Sequence, residues 1–332
     1  MLNTTRRLLL AGVALTLLWA TPSQADDKII IGFSQASSDS AHRNTMTKRN
    51  REYAEENLKD STLIITNAEG KSDKQISDIE SLMAQGMKVL MISAQDGAAI
   101  APTIKEVMAK GIPVVTLERT LPIPVTLHVG PHNKPIGELA GKFIVDKLKG
   151  KGNVIEIKGD PAVAPAVERH DGFAEAIKGT DIKVIAETHA DWDLEKALKF
   201  MEDQLQRFPA GQIQAVYAHN DNMAFGALKA IQAAGRDKEG ILIIGIDGEN
   251  RTIRAVDKGD ITATFTYSTV APEGVIAAHA LATHDMAALD KLGTLTKKAD
   301  GSMEIEIASH MVTKDNAKEF FCKGFGDDPE CK

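Results

Sequence analysis

Polar side chains suited to gripping a small molecule recur directly after short apolar runs in this sequence. Ser34, Asp39, His42 and Arg43 follow the run at 29–33, Ser93 follows 89–92, and Glu118 and Arg119 follow 114–117. Farther along come Arg169, the triplet Asp191-Trp192-Asp193, the triplet His219-Asn220-Asp221 after 215–218, and Asp247 after 241–246. Carboxylates accept, guanidinium and amide groups donate in planar forks, and each hydroxyl of a polyol does both, so this set suits recognition of a sugar-like molecule. Each residue also has a structural alternative. Asn220 or Asp221 could cap the helix whose apolar face is Met223, Leu228 and Ile231, and Asp39 and Asp247 could be turn residues. Glu118 and Arg119 could form a solvated ion pair, and an isolated tryptophan such as Trp192 is ordinarily core filler.

Motifs for bond-making chemistry are missing from the sequence. After residue 25 there is no Gly-x-Gly-x-x-Gly behind a strand, no phosphate loop, no His-Glu-x-x-His and no Gly-x-Ser-x-Gly elbow. His128 and His132 straddle Gly130 and Pro131, so they cannot share a helix face, and they read as surface or hinge histidines. His279 and His284 are awkwardly spaced for ligation. No metal and no cofactor are assigned. Asp39 and Glu118 as a glycoside-hydrolase carboxylate pair are the remaining catalytic alternative.

The elements that must position these side chains are strands buried on both faces. The runs at 29–33, 63–66, 89–92 and 114–117 are continuously apolar and β-branched, as in a parallel sheet, and helical patterns separate them. Between the second and third, Ser72 and Gln75 read as a capping box, Ile76, Ile79 and Met83 as one apolar face, and Gly86 as the stop. A second series at 154–157, 184–187, 215–218 and 241–246 repeats the pattern. Two sets of βα units predict two doubly wound sheets, with ligands at the carboxyl ends of the strands.

Composition agrees with a globular α/β protein. Of 332 residues 43% are apolar and 26% charged, and 39 basic residues stand against 46 acidic ones without a basic block, so nucleic acid is not an expected partner. Arg6 and Arg7 precede an uncharged apolar stretch at 8–20, followed by Ser23-Gln24-Ala25, which reads as an export signal cleaved after Ala25. The twin arginines leave open which export route is used. No cysteine lies near that cleavage point to carry a lipid, so a freely diffusing periplasmic protein is expected. The only cysteines, Cys322 and Cys331, would form a disulfide in an oxidising compartment, the alternative being unpaired thiols.

Five segments taken together resemble a known family. Ile31-Gly32-Phe33-Ser34-Gln35, the stretch Ile112 to Arg119, Arg169-His170-Asp171-Gly172-Phe173, the stretch Tyr217 to Ala227, and Gly245-Ile246-Asp247-Gly248 are similar, in order, to the periplasmic sugar-binding proteins of ribose and galactofuranose type. The resemblance spans nearly the whole chain after residue 25. It implies the type I periplasmic-binding-protein fold, two doubly wound parallel-sheet lobes joined by a three-crossover hinge. The N-terminal lobe is expected to hold 26–130 plus about 269–305, and the C-terminal lobe 131–268 plus about 306–332. It further implies that a sugar is trapped between closing lobes and handed to the membrane permease of an ABC importer. A chemoreceptor is a further candidate reader of the closed form, and a monomer is expected. The family's acid-arginine pair falls on Glu118 and Arg119, its arginine on Arg169, its stacking aromatic on Trp192, its amide on Asn220, its strand-end aspartate on Asp247 and a hinge-side polar residue on Tyr267.

This chain departs from the pattern in two places. Glu118 stands where aspartate is common, which would move the hydroxyls it meets outward. His42 stands where the galactofuranose branch has a tryptophan, although Asp39 and Arg43 fit that branch. Asp39, Glu118 and Asp247 balance Arg43, Arg119 and Arg169, which favours a neutral sugar over a phosphorylated one. A polyol, an amino sugar or a quorum signal in the same clamp is the alternative.

Overall fold

The computed structural model describes residues 28–326 and 330–331; the expected export signal, residues 1–25, lies outside them. The first series of units is β1 (Ile29–Gln35), α1 (Ala41–Asn57), β2 (Ser61–Asn67), α2 (Ser72–Ala84), β3 (Val89–Ile92), α3 (Gly97–Ala109), β4 (Val114–Leu117) and β5 (Leu127–Gly130). The second is α4 (Asn133–Lys147), β6 (Lys151–Lys158), α5 (Ala164–Ile177), β7 (Asp181–His189), α6 (Leu194–Arg207), β8 (Ala215–Ala218), α7 (Asp221–Ala233), β9 (Leu242–Ile244), α8 (Asn250–Lys258) and β10 (Ala263–Phe265). After α9 (Glu273–Thr283) come β11 (Leu295–Lys297), β12 (Met303–Glu306) and β13 (Met311–Thr313).

Two sheets result. One runs β11-β12-β5-β4-β3-β1-β2 and the other β13-β10-β9-β8-β6-β7, with every pairing parallel except the edge pairs β11–β12 and β10–β13. The chain passes between them three times, after β5, after β10 and after β12. All four residues of β3, β4, β5 and β8 are buried, as expected of strands covered by helices on both faces. One apolar layer of the first sheet packs Phe33, Met91 and Leu117 against Val275 and Leu281 of α9, and the opposite layer packs Leu90 and Ile92 against Ile79, Leu82 and Ile104. Each such fully buried side chain contributes ~1.5–3 kcal/mol, so the layers fix the strand ends from which the cleft residues emerge.

Two readings of local sequence are corrected here. The helix after β2 begins at Ser72 with Lys71 at its N-cap, so Ser72 and Gln75 make no capping box. Gln75 instead turns inward, donates to the carbonyl of Ser93 at 2.9 Å and accepts from the amide of Gln95 at 2.8 Å, tying down the end of β3. His128 is not a surface histidine. It lies buried in β5, a strand the apolar-run pattern did not mark, hydrogen-bonded to Thr116 Oγ1 at 2.9 Å. His132 bonds Glu304 at the surface.

The α4–α5 crossing sets the position of Arg169. A Cβ added at Gly172 would stand 2.1 Å from the carbonyl oxygen of Lys134, and one at Gly137 would stand 2.2 Å from that of Arg169. Only glycine permits this approach, and Gly172 is part of the segment Arg169 to Phe173 singled out in the sequence. Among the described residues no helix is long and apolar enough to cross a membrane.

Candidate functional site: a polar cleft between two lobes

A cleft of about 460 Å³ lies between the lobes, lined from both sides by residues at the carboxyl ends of strands. On the first-lobe side Ser40 caps α1 by accepting from the amide of Arg43, which sets His42 and Arg43 in the first turn facing the cleft. Arg43 Nη1 lies 2.6 Å from both Glu118 Oε1 and Ser93 Oγ, and Ser93 Oγ donates to Glu118 Oε1 at 2.9 Å. Arg119 lies 3.4 Å from the same oxygen and donates to the carbonyl of Ala94 at 2.7 Å. The second oxygen, Oε2, accepts from the hydroxyl of Tyr267 at 3.2 Å. Burial opposes ionisation of Glu118, but Arg43 and Arg119 outweigh it and hold the carboxyl at about 2. A carboxyl this acidic is ionised at neutral pH and cannot itself serve as a general acid.

The second-lobe side is built differently. Arg169 donates from Nε to Asn133 Oδ1 at 3.0 Å and from Nη1 to the carbonyl of His219, both neutral acceptors. Its guanidinium lies over the ring of Tyr267 at 4.5 Å and faces Trp192 at 5.6 Å. Asn220 is the N-cap of α7, accepting from the amide of Met223 at 2.9 Å, and also lines the cleft, so the capping and ligand-facing readings hold together. Trp192 likewise serves both: half-buried, it packs on the second-lobe core and lines the cleft, with a buried Nε1 that has no protein partner. Asp247 sits at the cleft floor beside Asp221, which accepts from Thr264 Oγ1 at 2.7 Å and the amide of Glu249 at 2.9 Å. Burial, and then the neighbouring carboxylates, push both aspartates up, Asp221 to about 7 and Asp247 well above its ordinary value.

Most of the residues chosen from sequence converge here. Asp39, His42, Arg43, Glu118, Arg119, Arg169, Trp192, Asn220, Asp247 and Tyr267 line the cleft. Ser34 and Ser93 do not. Ser34 is wholly buried in β1, and Ser93 lies behind the wall, holding Arg43 and Glu118. Glu118 bends back on its arginines and Tyr267 instead of reaching outward, so it organises donors around the cleft. The Cys322–Cys331 disulfide is formed.

Several lining residues were not chosen. Gln95 and Asp160 follow β3 and β6 and meet across the cleft, Gln95 Nε2 donating to Asp160 Oδ2 at 3.4 Å. A second bridge runs from Thr120 Oγ1 to Glu168 Oε1 at 3.4 Å, so the lobes touch at the rim. Both Gln95 and Asp160 stand where the strand-end rule points; the choice stopped at Ser93 and passed over the end of β6. Ser37, Ser40, Lys196, Asn222 and Glu249 complete the polar lining, together with Asp191 and Asp193 of the triplet singled out in the sequence. The balance of three carboxylates and three arginines therefore becomes seven carboxylates and four cations. The added acids have protein partners: Asp191 pairs with Lys196, Glu249 with Arg251, Asp193 caps α6, and Asp160 takes Gln95 and the amide of Ala162.

A two-lobed α/β clamp with a polar cleft of this volume at its strand ends has the build of a solute-binding protein. Comparison with known proteins agrees: residues 31–285 match the periplasmic binding protein domain, and the chain belongs to that family. It is 36% identical over 250 residues to the ribose import binding protein of Bacillus subtilis (strain 168), covering 74% of this chain and 79% of that one. It is 33% identical over 244 residues to the galactofuranose-binding protein of Escherichia coli (strain K12), covering 71% and 76%. A Mycobacterium smegmatis ABC transporter solute-binding protein with bound glycerol superposes with a TM-score of 0.77 at 29% identity, over 91% of this chain and 98% of that one. Each of these relatives bears the name of a binding protein.

Proposed function

We propose that this chain captures one neutral monosaccharide, a pentose, hexose or furanose-form sugar, between its two lobes and presents it to the membrane permease of an ABC importer. The observation that carries the reading is the convergence of Arg43, Arg119 and Arg169 with Asn220, Asp247 and Trp192 on one cleft, where each arginine already has protein partners and adds no unpaired positive charge for an anionic ligand. A sugar brings matched donors and acceptors and an apolar ring face, and needs no net charge from its site. Charge-assisted hydrogen bonds of ~1.5–3 kcal/mol each put a micromolar complex, near −8 kcal/mol, within reach after ordering and desolvation are subtracted. In this reading Asp39, His42, Arg43, Arg119, Arg169, Asn220, Asp247 and Tyr267 contact hydroxyls, Trp192 covers the ring, and Ser34, Ser93 and Glu118 position the contacts.

The same reading takes residues 1–25 as an export signal removed after Ala25, the lobes as 26–130 with about 269–305 and 131–268 with about 306–332, and the working form as a periplasmic monomer. A chemoreceptor is a second reader of the closed form. Calorimetry against pentoses, hexoses, furanose-forming sugars, polyols, an amino sugar and a sugar phosphate tests the ligand class. Saturable binding of one neutral sugar class is expected; tighter binding of the amino sugar or the phosphate would overturn it.

A further inference from the structure

Residues 324–326 reach the cleft from behind. Between the bonded Cys322 and Cys331, Phe325 forms a bridge with Glu249, its carbonyl accepts from the amide of Asn250 at 2.9 Å, and Asn250 Nδ2 donates to the carbonyl of Gly326 at 3.1 Å. A Cβ at Gly324 would stand 2.2 Å from the carbonyl oxygen of Gly248, so glycine is required for the tail to lie this close. The tail is thus docked on the segment that carries Asp247 and Glu249, part of the second-lobe wall.

The Phe325 side chain crosses to the other lobe. It is 3% exposed and packs edge-on against the imidazole of His42 in α1, with ring centroids 5.2 Å apart and planes at 76°. On its other side His42 meets Tyr267 at 5.6 Å, and its Nε2 donates to the carbonyl of Ser268 at 3.1 Å. A neutral imidazole that donates from Nε2 keeps Nδ1 as a lone-pair acceptor.

We propose that the disulfide-closed tail is a strap across the two lobes, and that Phe325 is the positioning residue that fixes His42 in the cleft wall with Nδ1 as an acceptor for a ligand hydroxyl. The role of His42 toward a hydroxyl rests on the sugar reading above; the positioning by Phe325 does not. Fastened to one lobe and resting on a side chain of the other, the strap adds a contact that exists only while the lobes are together. Sealing the ring from water also keeps it neutral. Burial and then Arg43 lower its pKa to about 4, with Arg169 in the same direction, against the opposing pull of Glu118 and the Ser268 carbonyl.

The test follows imidazole titration by NMR in the full chain without ligand, so its outcome is independent of which molecule binds. His128, buried in the first lobe on Thr116 and also lowered to about 4 by burial, is the internal reference. Phe325→Ala is expected to raise the His42 midpoint by about one unit or more while His128 stays in place, because only the His42 ring gains water. Phe325→Leu restores the seal and the low midpoint, and the Cys322→Ser/Cys331→Ser pair, which frees the tail without removing the ring, gives an intermediate value. An unmoved His42 in Phe325→Ala, or equal movement of His42 and His128 across the variants, would overturn the strap.

Discussion

The two walls of the cleft use charge in opposite ways. On the first lobe one buried carboxylate, Glu118, is surrounded by Arg43, Arg119, Ser93 and Tyr267, so the charges satisfy one another before any ligand arrives. On the second lobe Arg169 leans on neutral acceptors, while Asp221, Asp247 and Glu249 crowd together and burial raises the two aspartates. The first wall is a rigid frame that adds to stability. The second holds like-charged acids close together, an arrangement that a ligand donor would relieve under the proposed reading. Like-charged buried acids destabilise a fold, and their persistence beside the cleft accords with a functional role.

The amide substitution of one acid on each wall breaks or sharpens this contrast, because the two changes should have opposite signs. Glu118→Gln removes the counter-charge of two buried arginines and is expected to destabilise by ~3 kcal/mol in denaturant titrations. With a folded pKa of about 2, that contribution is fully present above the ordinary carboxylate value and disappears as pH falls through about 2. Ligand affinity falls at least about tenfold with it, since the arginines and Tyr267 lose their anchor. A neutral result would show that the frame is not what holds the first wall.

Asp247→Asn is expected to stabilise the fold by ~1 kcal/mol at pH 8 while weakening ligand binding. The sign follows from linkage: an acid whose folded pKa is raised destabilises the native state above that pKa, and the penalty vanishes below its unfolded value. The gain should therefore shrink from pH 8 toward pH 4. Loss of stability at pH 8 would mean that Asp247 is not part of a strained acid cluster. The smallest effect belongs to Arg169→Lys, which keeps the charge but cannot reach Asn133 and His219 together or lie flat on Tyr267. Stability should change by under about 1 kcal/mol and affinity by several-fold, and an unchanged affinity would place the guanidinium outside the ligand contacts.

Much of this architecture was legible in the sequence because strands covered on both faces leave continuous apolar runs, and many, though not all, of the residues just past them face the cleft. That rule found Glu118, Arg119, Asn220 and Asp247. What it missed has physical causes. Gln75 has the residue type of a capping box, but the helix starts a position earlier than a box requires, and the side chain turns inward to bind strand ends. His128 sits in a short strand whose single polar residue hides its apolar character; its polarity is absorbed by Thr116 on the neighbouring strand. Phe325 lies in a tail of turn residues with no periodicity, and only the fold brings it to His42. Gln95 and Asp160 each stand just past a strand, where the same rule points, but their rim contact joins two lobes and the pairing has no local signature in either segment.

The central claim is that both walls close on one sugar, and Trp192 can report it directly. In a Trp19→Phe background Trp192 is the sole tryptophan, so its fluorescence can be titrated with the sugar panel, with and without Arg119→Ala on the opposite wall. The account predicts a saturable change with one sugar class, shifted to at least about tenfold higher concentration by Arg119→Ala. A binding isotherm by calorimetry with no change at Trp192, or one indifferent to Arg119, would contradict it.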